Sequence, residues 1–156
     1  MSDAATDHLL FHVSGGILTV RFNRPAKKNA FTEAMYETLA ARLRAAEDDP
    51  DVRVIVLGGE GGAFTAGNDL ADFMERPPTG EDSAVFRFLH ALLHAKTPIV
   101  AAVRGAAVGI GTTMLLHADL VYASASAKFS LPFVNLGLCP EAVSYTHLTL
   151  PTTPSV

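Results

Sequence analysis

The first two segments of the chain have the alternating pattern of β-strands. Residues 9–14 and 17–23 are rich in β-forming residues, and the Gly15-Gly16 pair between them is typical of a two-residue hairpin turn. Every other residue of the second segment is apolar, which predicts a strand with one buried face formed by Leu18, Val20 and Phe22. Arg24-Pro25 then ends the strand, because proline has no N–H to donate to a sheet.

Two later segments have apolar residues at helical spacing. The first helix is predicted to begin after an N-cap at Thr32 and to run through Asp48, with an apolar face of Met35, Leu39, Leu43 and Ala46. The second helix is predicted over residues 83–95, with an apolar side of Val85, Phe86, Leu89, Leu92 and Leu93.

Four apolar runs predict further strands. Residues 52–57 and 99–103 are nearly continuous apolar runs, typical of buried strands in a parallel sheet, and residues 120–123 and 128–130 predict shorter strands. Residues 105–111 predict a turn that leads into a helix ending near residue 117. Because strands and helices alternate along the chain, the predicted fold class is α/β.

Composition narrows the class of protein. Of the 156 residues, 49 % are apolar and 18 % are charged, which is enough apolar material for a core and excludes a disordered chain. The net charge is −4 and no basic run occurs, so no nucleic-acid partner is expected. The most apolar stretch, residues 98–122, contains Arg104 and three glycines, and it predicts buried core rather than a membrane span.

The cysteine content and the N-terminal residues indicate the cellular compartment in which we expect the protein. Cys139 is the single cysteine, so neither a disulfide within the chain nor a cysteine-ligated zinc is expected. Residues 1–10 are acidic and lack the apolar segment of a signal peptide, so we expect a cytoplasmic protein with no membrane partner.

Several common catalytic and binding motifs are missing from the sequence. The glycine-rich loop at residues 58–62 lacks the lysine of a P-loop, and residues 109–114 lack the third glycine of a dinucleotide fingerprint. No Gly-x-Ser-x-Gly elbow of an α/β-hydrolase occurs. His90 and His94 have the spacing of two metal ligands on one helix, but Ala91 stands where a zinc protease has its glutamate, so we interpret them as surface residues.

Two glycine-containing turns remain as candidate chemistry. Residues 66–70 follow the strand predicted at 52–57, residues 109–111 follow the one predicted at 99–103, and each turn opens a helix. Backbone N–H groups are free at a helix N-terminus, so two such turns at one sheet edge can direct two donors at a single oxygen, as an oxyanion hole does. Glycines that only permit tight turns have the same spacing, and this alternative stays open at this point.

Three ordered motifs resemble the enoyl-CoA hydratase/isomerase (crotonase) superfamily. They are Asn23-Arg24-Pro25 with Asn29-Ala30-Phe31, then residues 64–70, then residues 105–111, and the resemblance covers residues 9–144. It implies a crotonase-like spiral of ββα units, an acyl-CoA thioester as substrate, and assembly as homotrimers or dimers of trimers. It implies no cofactor, since coenzyme A is part of the substrate.

The resemblance assigns both turns to substrate binding. By analogy with the family, the backbone N–H groups of Ala66 and Ile110 form the oxyanion hole. The residues that the resemblance places along the substrate are Ala66, Gly67, Asn68, Asp69, Leu70, Gly109 and Ile110. It also makes Lys27 and Lys28 candidates for contact with a CoA phosphate, although lysines in a loop are more often only solvated.

The acid–base residue decides which reaction a member of this family catalyses. The family's hydratases carry two glutamates, and the corresponding positions here are Thr113 and Phe133, so hydration by that mechanism is not expected. Residues 132–141 resemble the Δ3,Δ2-enoyl-CoA isomerase branch, whose base is the glutamate of this segment, here Glu141. The apolar neighbours of Glu141 are expected to make it a stronger base, whereas a glutamate that only favours a helix N-terminus is the alternative.

The expected activity is isomerisation of a Δ3-enoyl-CoA to its Δ2 isomer, as in fatty acid β-oxidation, with peroxisome or mitochondrion as the compartment in a eukaryote. The alternatives are a family member of other specificity or an inactive acyl-CoA-binding fragment. Residues 1–144 are expected to be a partial catalytic core without the family's C-terminal helical region, which leaves apolar surface exposed. Residues 145–156 have no helical or strand periodicity and resemble translated adapter read-through, so we expect them to be non-native.

Overall fold

The computed structural model describes residues 7–75, 80 and 82–137. The strands are β1 (Leu9–Ser14), β2 (Ile17–Phe22), β3 (Val54–Gly59), β4 (Ile99–Val103), β5 (Ala106–Val108), β6 (Leu120–Ala123) and β7 (Lys128–Ser130). The α-helices are α1 (Glu33–Asp48), α2 (Leu70–Glu75), α3 (Ala84–Leu93) and α4 (Ile110–Thr113). Short 3-10 helices cover Pro25–Lys27, Met114–His117 and Val134–Leu136.

The strands form two sheets. The larger sheet has the order β1-β2-β3-β4-β6, with β1 antiparallel to β2 and the other neighbours parallel. Strand β5 is not part of this sheet and pairs in parallel with β7 to form the second, two-stranded sheet. Gly15 and Gly16 have φ values of 59° and 85°, the left-handed conformation that a tight hairpin turn requires, so the predicted β1–β2 hairpin is confirmed.

The core lies between the larger sheet and helices α1 and α3. The predicted face of α1 is confirmed, because Met35, Leu39, Leu43 and Ala46 are all buried, and the Thr32 side chain caps the helix by accepting from the Met35 N–H at 3.4 Å. Aromatic rings in edge-on or tilted contact, with centroids 4.8–5.5 Å apart, connect β2 to both helices through Phe22, Phe31, Tyr36 and Phe88.

Strand β3 begins two residues later than predicted and continues into the glycine-rich segment. Gly58 and Gly59 lie opposite Arg21 and Phe22 of β2 and belong to the strand, not to a loop. A Cβ atom at Gly59 would lie 2.0 Å from the carbonyl oxygen of Ala63. The glycine here therefore permits close approach between the end of β3 and the backbone of the loop that follows it.

The buried face of α3 agrees with the prediction only in part. Its buried residues are Ala84, Phe88, Ala91 and Leu92, whereas Phe86 and Leu93 are 40 % and 55 % exposed. Leu92 is buried as predicted, and Val85 and Leu89 are partly buried against the core. The prediction is therefore wrong for Phe86 and Leu93, and it missed the small residues Ala84 and Ala91.

Two predictions for the last third of the chain are also corrected. Residues 105–111 contain strand β5 and are not a single turn, because Lys128 donates its backbone N–H to the Gly105 carbonyl at 2.8 Å and β7 pairs alongside. The apolar stretch at residues 98–122 is not buried throughout. Leu120, Val121 and Tyr122 are 54 %, 41 % and 66 % exposed, because β6 has a single neighbouring strand in the described part of the sheet.

Helices long and apolar enough to cross a membrane are absent from the described part of the chain.

Candidate active site

In the structure, the first of the two predicted turns extends over residues 64–69. Hydrogen bonds hold it to the segment before α1. The Thr65 hydroxyl donates to the carbonyl oxygen of Asn29 at 2.7 Å and accepts from the Gly67 N–H at 3.1 Å. The Phe31 N–H donates to the Gly67 carbonyl and the Asp69 N–H donates to the Phe31 carbonyl, both at 2.8 Å. These bonds fix the backbone on both sides of Ala66.

Asn29 is the buried residue on which this arrangement depends. Its side chain is fully buried, its φ is 59°, and its amide donates to the carbonyls of Glu60 and Ala63 at 2.9 and 2.8 Å. Its Oδ1 accepts from the Arg24 N–H at 2.8 Å. The sequence identified Asn29 only as part of a motif, and its role in holding the first turn through buried hydrogen bonds was not predicted. Asparagine tolerates the left-handed conformation, and that preference is the signal that points to a structural turn residue.

Asp69 forms an ion pair with Arg24. Its Oδ2 lies 2.7 Å from Nη1 of Arg24, and its Oδ1 accepts from the Ala71 N–H at 3.1 Å, which caps α2. The hydrogen bond from the Arg24 guanidinium holds the pKa of Asp69 below its ordinary value. Asp69 is therefore an anion that fixes the end of the first turn.

The two residues beside Asp69 face different surroundings. Asn68 accepts a hydrogen bond on Oδ1 from the hydroxyl of Tyr36. Leu70, the first residue of α2, is 59 % exposed. In the segment predicted to bind substrate, the structure therefore shows one hydrogen-bonded amide, one paired carboxylate and one exposed apolar side chain. The assignment of these residues to substrate binding stays a prediction.

The second turn, residues 108–111, is held mainly by backbone bonds. Gly109 has φ 56° and ψ −120°, a conformation suited to glycine, and its N–H donates to the Ser130 carbonyl at 2.9 Å. The Thr112 hydroxyl donates to the Ala107 carbonyl at 2.6 Å. Helix α4 starts at Ile110, as the prediction of a helix-opening turn requires.

The two turns lie against each other. Thr65 and Ala107 form a parallel bridge, and the Val108 N–H donates to the Thr65 carbonyl at 3.0 Å. A Cβ atom on Gly67 would lie 2.7 Å from the Val108 carbonyl oxygen, so glycine is required for this approach. The predicted juxtaposition of the two turns is confirmed. The contact is made at strand β5 of the two-stranded sheet, and not along one edge of the larger sheet.

The two predicted donors differ in their partners. The Ala66 N–H donates to the Lys28 carbonyl oxygen at 2.9 Å. Ile110 is the first residue of α4, where a backbone N–H has no acceptor within its own helix. Among the described residues, a ligand oxygen that binds between the turns therefore meets one N–H without a protein acceptor, that of Ile110, and has to share or displace the Lys28 carbonyl at Ala66.

The two positions that correspond to the glutamates of the family's hydratases, Thr113 and Phe133, carry no acid–base group. Thr113 is fully buried, and its hydroxyl is a buried side-chain oxygen without a hydrogen-bond partner in the described part of the chain. Phe133 is 6 % exposed. Glu141, the predicted base, lies outside the described residues.

His90 and His94 do not form the centre of a larger ligand set. Their rings are stacked with centroids 5.7 Å apart, and Nδ1 of His94 lies 2.9 Å from the His90 carbonyl oxygen. Groups of three or more His, Cys, Asp or Glu side chains arranged to hold a metal are absent from residues 7–75 and 82–137.

The structure has an α/β fold in which two glycine-containing turns pack against each other. Comparison with known sequences identifies the family to which such a chain belongs. The sequence profile of the enoyl-CoA hydratase/isomerase family matches residues 12–151. The chain belongs to this family, as the motifs predicted. The matched span includes residues 145–151, which are part of the segment expected to be non-native.

Similar proteins carry several activities in their names. The chain is 40 % identical over 136 residues to human enoyl-CoA delta isomerase 2, covering 83 % of this chain and 34 % of that protein. It is 39 % identical over 143 residues to 1,2-epoxyphenylacetyl-CoA isomerase of Escherichia coli, covering 86 % and 54 %. The solved structure of Pseudomonas aeruginosa OdaA superposes with a TM-score of 0.88 at 48 % identity, covering 91 % of this chain and 57 % of that chain. The chain thus spans about a third to somewhat more than half of these relatives' lengths.

Proposed function

We propose that the whole protein converts a Δ3-enoyl-CoA thioester to the Δ2 isomer. The observation that carries the proposal is the close packing of the two turns at Gly67 and Val108. It supports an oxyanion site with a donor from each turn, in which the Ala66 N–H exchanges the Lys28 carbonyl for the ligand oxygen. The similarity to human enoyl-CoA delta isomerase 2 supports the isomerase branch. Threonine and phenylalanine at residues 113 and 133 support it as well, because neither activates water.

In the proposed reaction the N–H groups of Ala66 and Ile110 donate to the thioester oxygen. Glu141 takes a proton from C2, and the electron pair of the broken C–H bond delocalises onto the thioester oxygen and over the C3=C4 double bond. The donors stabilise the negative charge that develops on the oxygen. Protonated Glu141 then returns the proton to C4, so that the double bond lies between C2 and C3. One base serves both carbons, and atoms and charge balance without a co-reactant.

The charge of Asp69 does not oppose the enolate in this scheme. Arg24 neutralises it at 2.7 Å, and the same ion pair fixes the backbone three residues after the Ala66 donor. The role we propose for Asn68 and Asp69 is therefore to hold the first turn in position along the substrate.

Glutamate replacement tests the proposal in the longest native form of the protein. Glu141→Gln is expected to lower the isomerisation rate by roughly 100-fold or more, which is the usual contribution of a general acid–base group. Binding of CoA thioesters is expected to persist. Glu37→Gln, on the exposed side of α1, is the matched control and should leave the rate unchanged, because surface ion pairs contribute little. Unchanged turnover in Glu141→Gln would contradict the assignment.

Hydration of crotonyl-CoA distinguishes the proposed isomerase activity from a hydratase activity. We expect it to be slow relative to isomerisation in the same preparation. Hydration at a comparable rate would show that the inference from residues 113 and 133 is wrong. An inactive acyl-CoA-binding fragment is distinguished by CoA binding without either reaction.

We also propose that the whole protein forms a homotrimer or a dimer of trimers. The exposed apolar residues of the last third of the described chain support the proposal, because a surface of this kind is normally covered by further chain or by a subunit. They are Leu116, Leu120, Val121, Tyr122, Phe129 and Leu131. Sedimentation equilibrium is expected to give three or six copies, and a monomer at micromolar concentration would contradict this proposal.

A further inference from the structure

Tyr36 is a buried residue in the first turn of α1 whose side chain reaches the candidate site. It is 2 % exposed, and its ring centroid lies 5.4 Å from that of Phe31 and 5.5 Å from that of Phe88. Its backbone N–H donates to the carbonyl of the N-cap residue Thr32 at 3.1 Å. Because close packing in the core fixes the ring, it also fixes the position of the hydroxyl group.

The hydroxyl of Tyr36 holds one residue of the first turn. It donates to Oδ1 of Asn68, which lies 32 positions away in the sequence. Asn68 is half-buried, and this bond attaches its side chain to α1. The first turn is therefore connected to the core through a side chain, in addition to the backbone bonds that hold the residues on both sides of Asn68.

Asn68 lies between two residues that determine how the turns meet. Gly67, before it, approaches the second turn so closely that a Cβ atom would lie 2.7 Å from the Val108 carbonyl oxygen. Asp69, after it, donates its N–H to the Phe31 carbonyl at 2.8 Å. Because the backbone is continuous, a shift of Asn68 moves Gly67 and changes the spacing between the two turns.

We propose that Tyr36 is a positioning residue for the reaction. Its hydroxyl, acting through Asn68, holds the first turn at the distance from the second that lets N–H groups of both meet one oxygen. The inference rests on the proposed function, in which the two turns share the thioester oxygen. Charge on that oxygen is greatest in the transition state, so misplaced donors slow the reaction more than they weaken substrate binding.

Tyr36→Phe tests the positioning role in the longest native form of the protein. The variant keeps the ring and removes the bond to Asn68. With 3-hexenoyl-CoA as substrate, we expect kcat of isomerisation to fall about tenfold and KM to change by less than about twofold, since small displacements of catalytic donors act on the rate. A kcat within about twofold of that of the unchanged protein would overturn the proposal.

Ile55→Val is the control for a general loss of stability. Ile55 is fully buried in β3, four residues before Gly59, which is about 13 Å along the strand. Loss of a buried methylene and loss of a hydrogen bond have similar costs, so both variants are expected to lower the unfolding temperature by a few degrees. The control should keep its kcat, and an equal fall in both variants would overturn the proposal.

A double-mutant cycle tests whether Tyr36 acts through Asn68. Asn68→Ala alone is expected to lower kcat about as much as Tyr36→Phe, because it removes the acceptor of the same bond. Once Asn68 is alanine, Tyr36→Phe should have no further effect on kcat. A further fall of about tenfold in the double variant would show that Tyr36 acts by another route, which overturns the proposal.

This inference and the proposed function fail in distinguishable ways. If the unchanged protein isomerises 3-hexenoyl-CoA and Tyr36→Phe does so at the same rate, the positioning role is overturned and the proposed function stands. If the unchanged protein does not isomerise 3-hexenoyl-CoA, the proposed function is overturned and the positioning role falls with it.

Discussion

The two turns of the site are fixed in different ways. The first is held by buried side chains, since Asn29 and Thr65 place all their polar atoms in hydrogen bonds with the surrounding backbone. The second is held by backbone pairing with β7 and by Thr112, and a Cβ at Gly109 would meet nothing within 4 Å. One helical turn further along, Thr113 buries a hydroxyl without a partner in the described chain. The comparison indicates that amino-acid substitutions in the first turn destabilise the protein more than substitutions in the second turn.

Asn29→Ala is expected to have the largest effect on stability. It leaves the carbonyls of Glu60 and Ala63 and the N–H of Arg24 without this partner, and each unpaired group costs about 1–3 kcal/mol, so the free energy of unfolding should fall by more than about 3 kcal/mol. Urea denaturation measures this change. Asn135→Ala, at an exposed position, is the control and should change stability by less than about 0.5 kcal/mol. A loss below about 1 kcal/mol in Asn29→Ala would show that the first turn does not depend on this side chain.

Alanine at the two central glycines compares the turns directly. Gly67→Ala combines a positive φ of 88° with a clash 2.7 Å from the Val108 carbonyl, and we expect it to cost about 3 kcal/mol. Gly109→Ala adds backbone strain alone and should cost about 1–2 kcal/mol. Thermal unfolding of both variants in one buffer gives the difference. Equal losses would mean that the turns are not packed as closely as the structure shows.

Valine at the two buried threonines removes each hydroxyl at nearly constant shape. Thr65→Val loses two hydrogen bonds, each worth about 1 kcal/mol, so a loss of about 2 kcal/mol is expected. Thr113→Val loses none in the described structure and is expected to be neutral or slightly stabilising. A destabilisation by Thr113→Val as large as that by Thr65→Val would reveal a partner for Thr113 and remove this difference between the turns.

The smallest expected effect concerns the Arg24–Asp69 pair and its pH dependence. The pKa of Asp69 is lowered in the folded state, mainly by the hydrogen bond from Arg24, so the carboxylate stabilises the fold at pH values above the ordinary Asp value of about 3.9. This contribution is lost as the pH falls through the lowered pKa. Asp69→Asn should cost about 1 kcal/mol at neutral pH, and the difference from the unchanged protein should shrink below about pH 4. Exposed Asp51→Asn is the control, and a difference independent of pH in Asp69→Asn would contradict the account.

Much of the fold follows from local sequence signals. The bounds of β1, β4, β6 and β7 agree with the predictions, because β-forming residues lie between clear turn residues. Strand β5 was missed, since three small residues between glycines resemble a turn until β7 pairs with them. Phe86 and Leu93 of α3 were wrongly predicted to be buried, because packing against α1 selects the buried face and the pattern within one helix does not contain that information.

The site was predictable in outline but not in its hydrogen bonds. Glycines 67 and 109 indicated two turns, and their contact is confirmed through the Thr65–Ala107 bridge. The bond from Ala66 to the Lys28 carbonyl joins residues far apart in sequence, so no local pattern predicts it. The same holds for the Arg24–Asp69 pair, which bridges 45 positions and makes Asp69 a structural anion.

The central claim is that one thioester oxygen receives hydrogen bonds from both Ala66 and Ile110. Amide ¹H–¹⁵N correlation spectra of the chain during titration with hexanoyl-CoA test it most directly. The account predicts that both amide protons shift downfield along the same saturation curve, with Ala66 leaving the Lys28 carbonyl, while the amide of Gly15 in the distant hairpin stays in place. Saturable binding that leaves either of the two amides unmoved would contradict the claim.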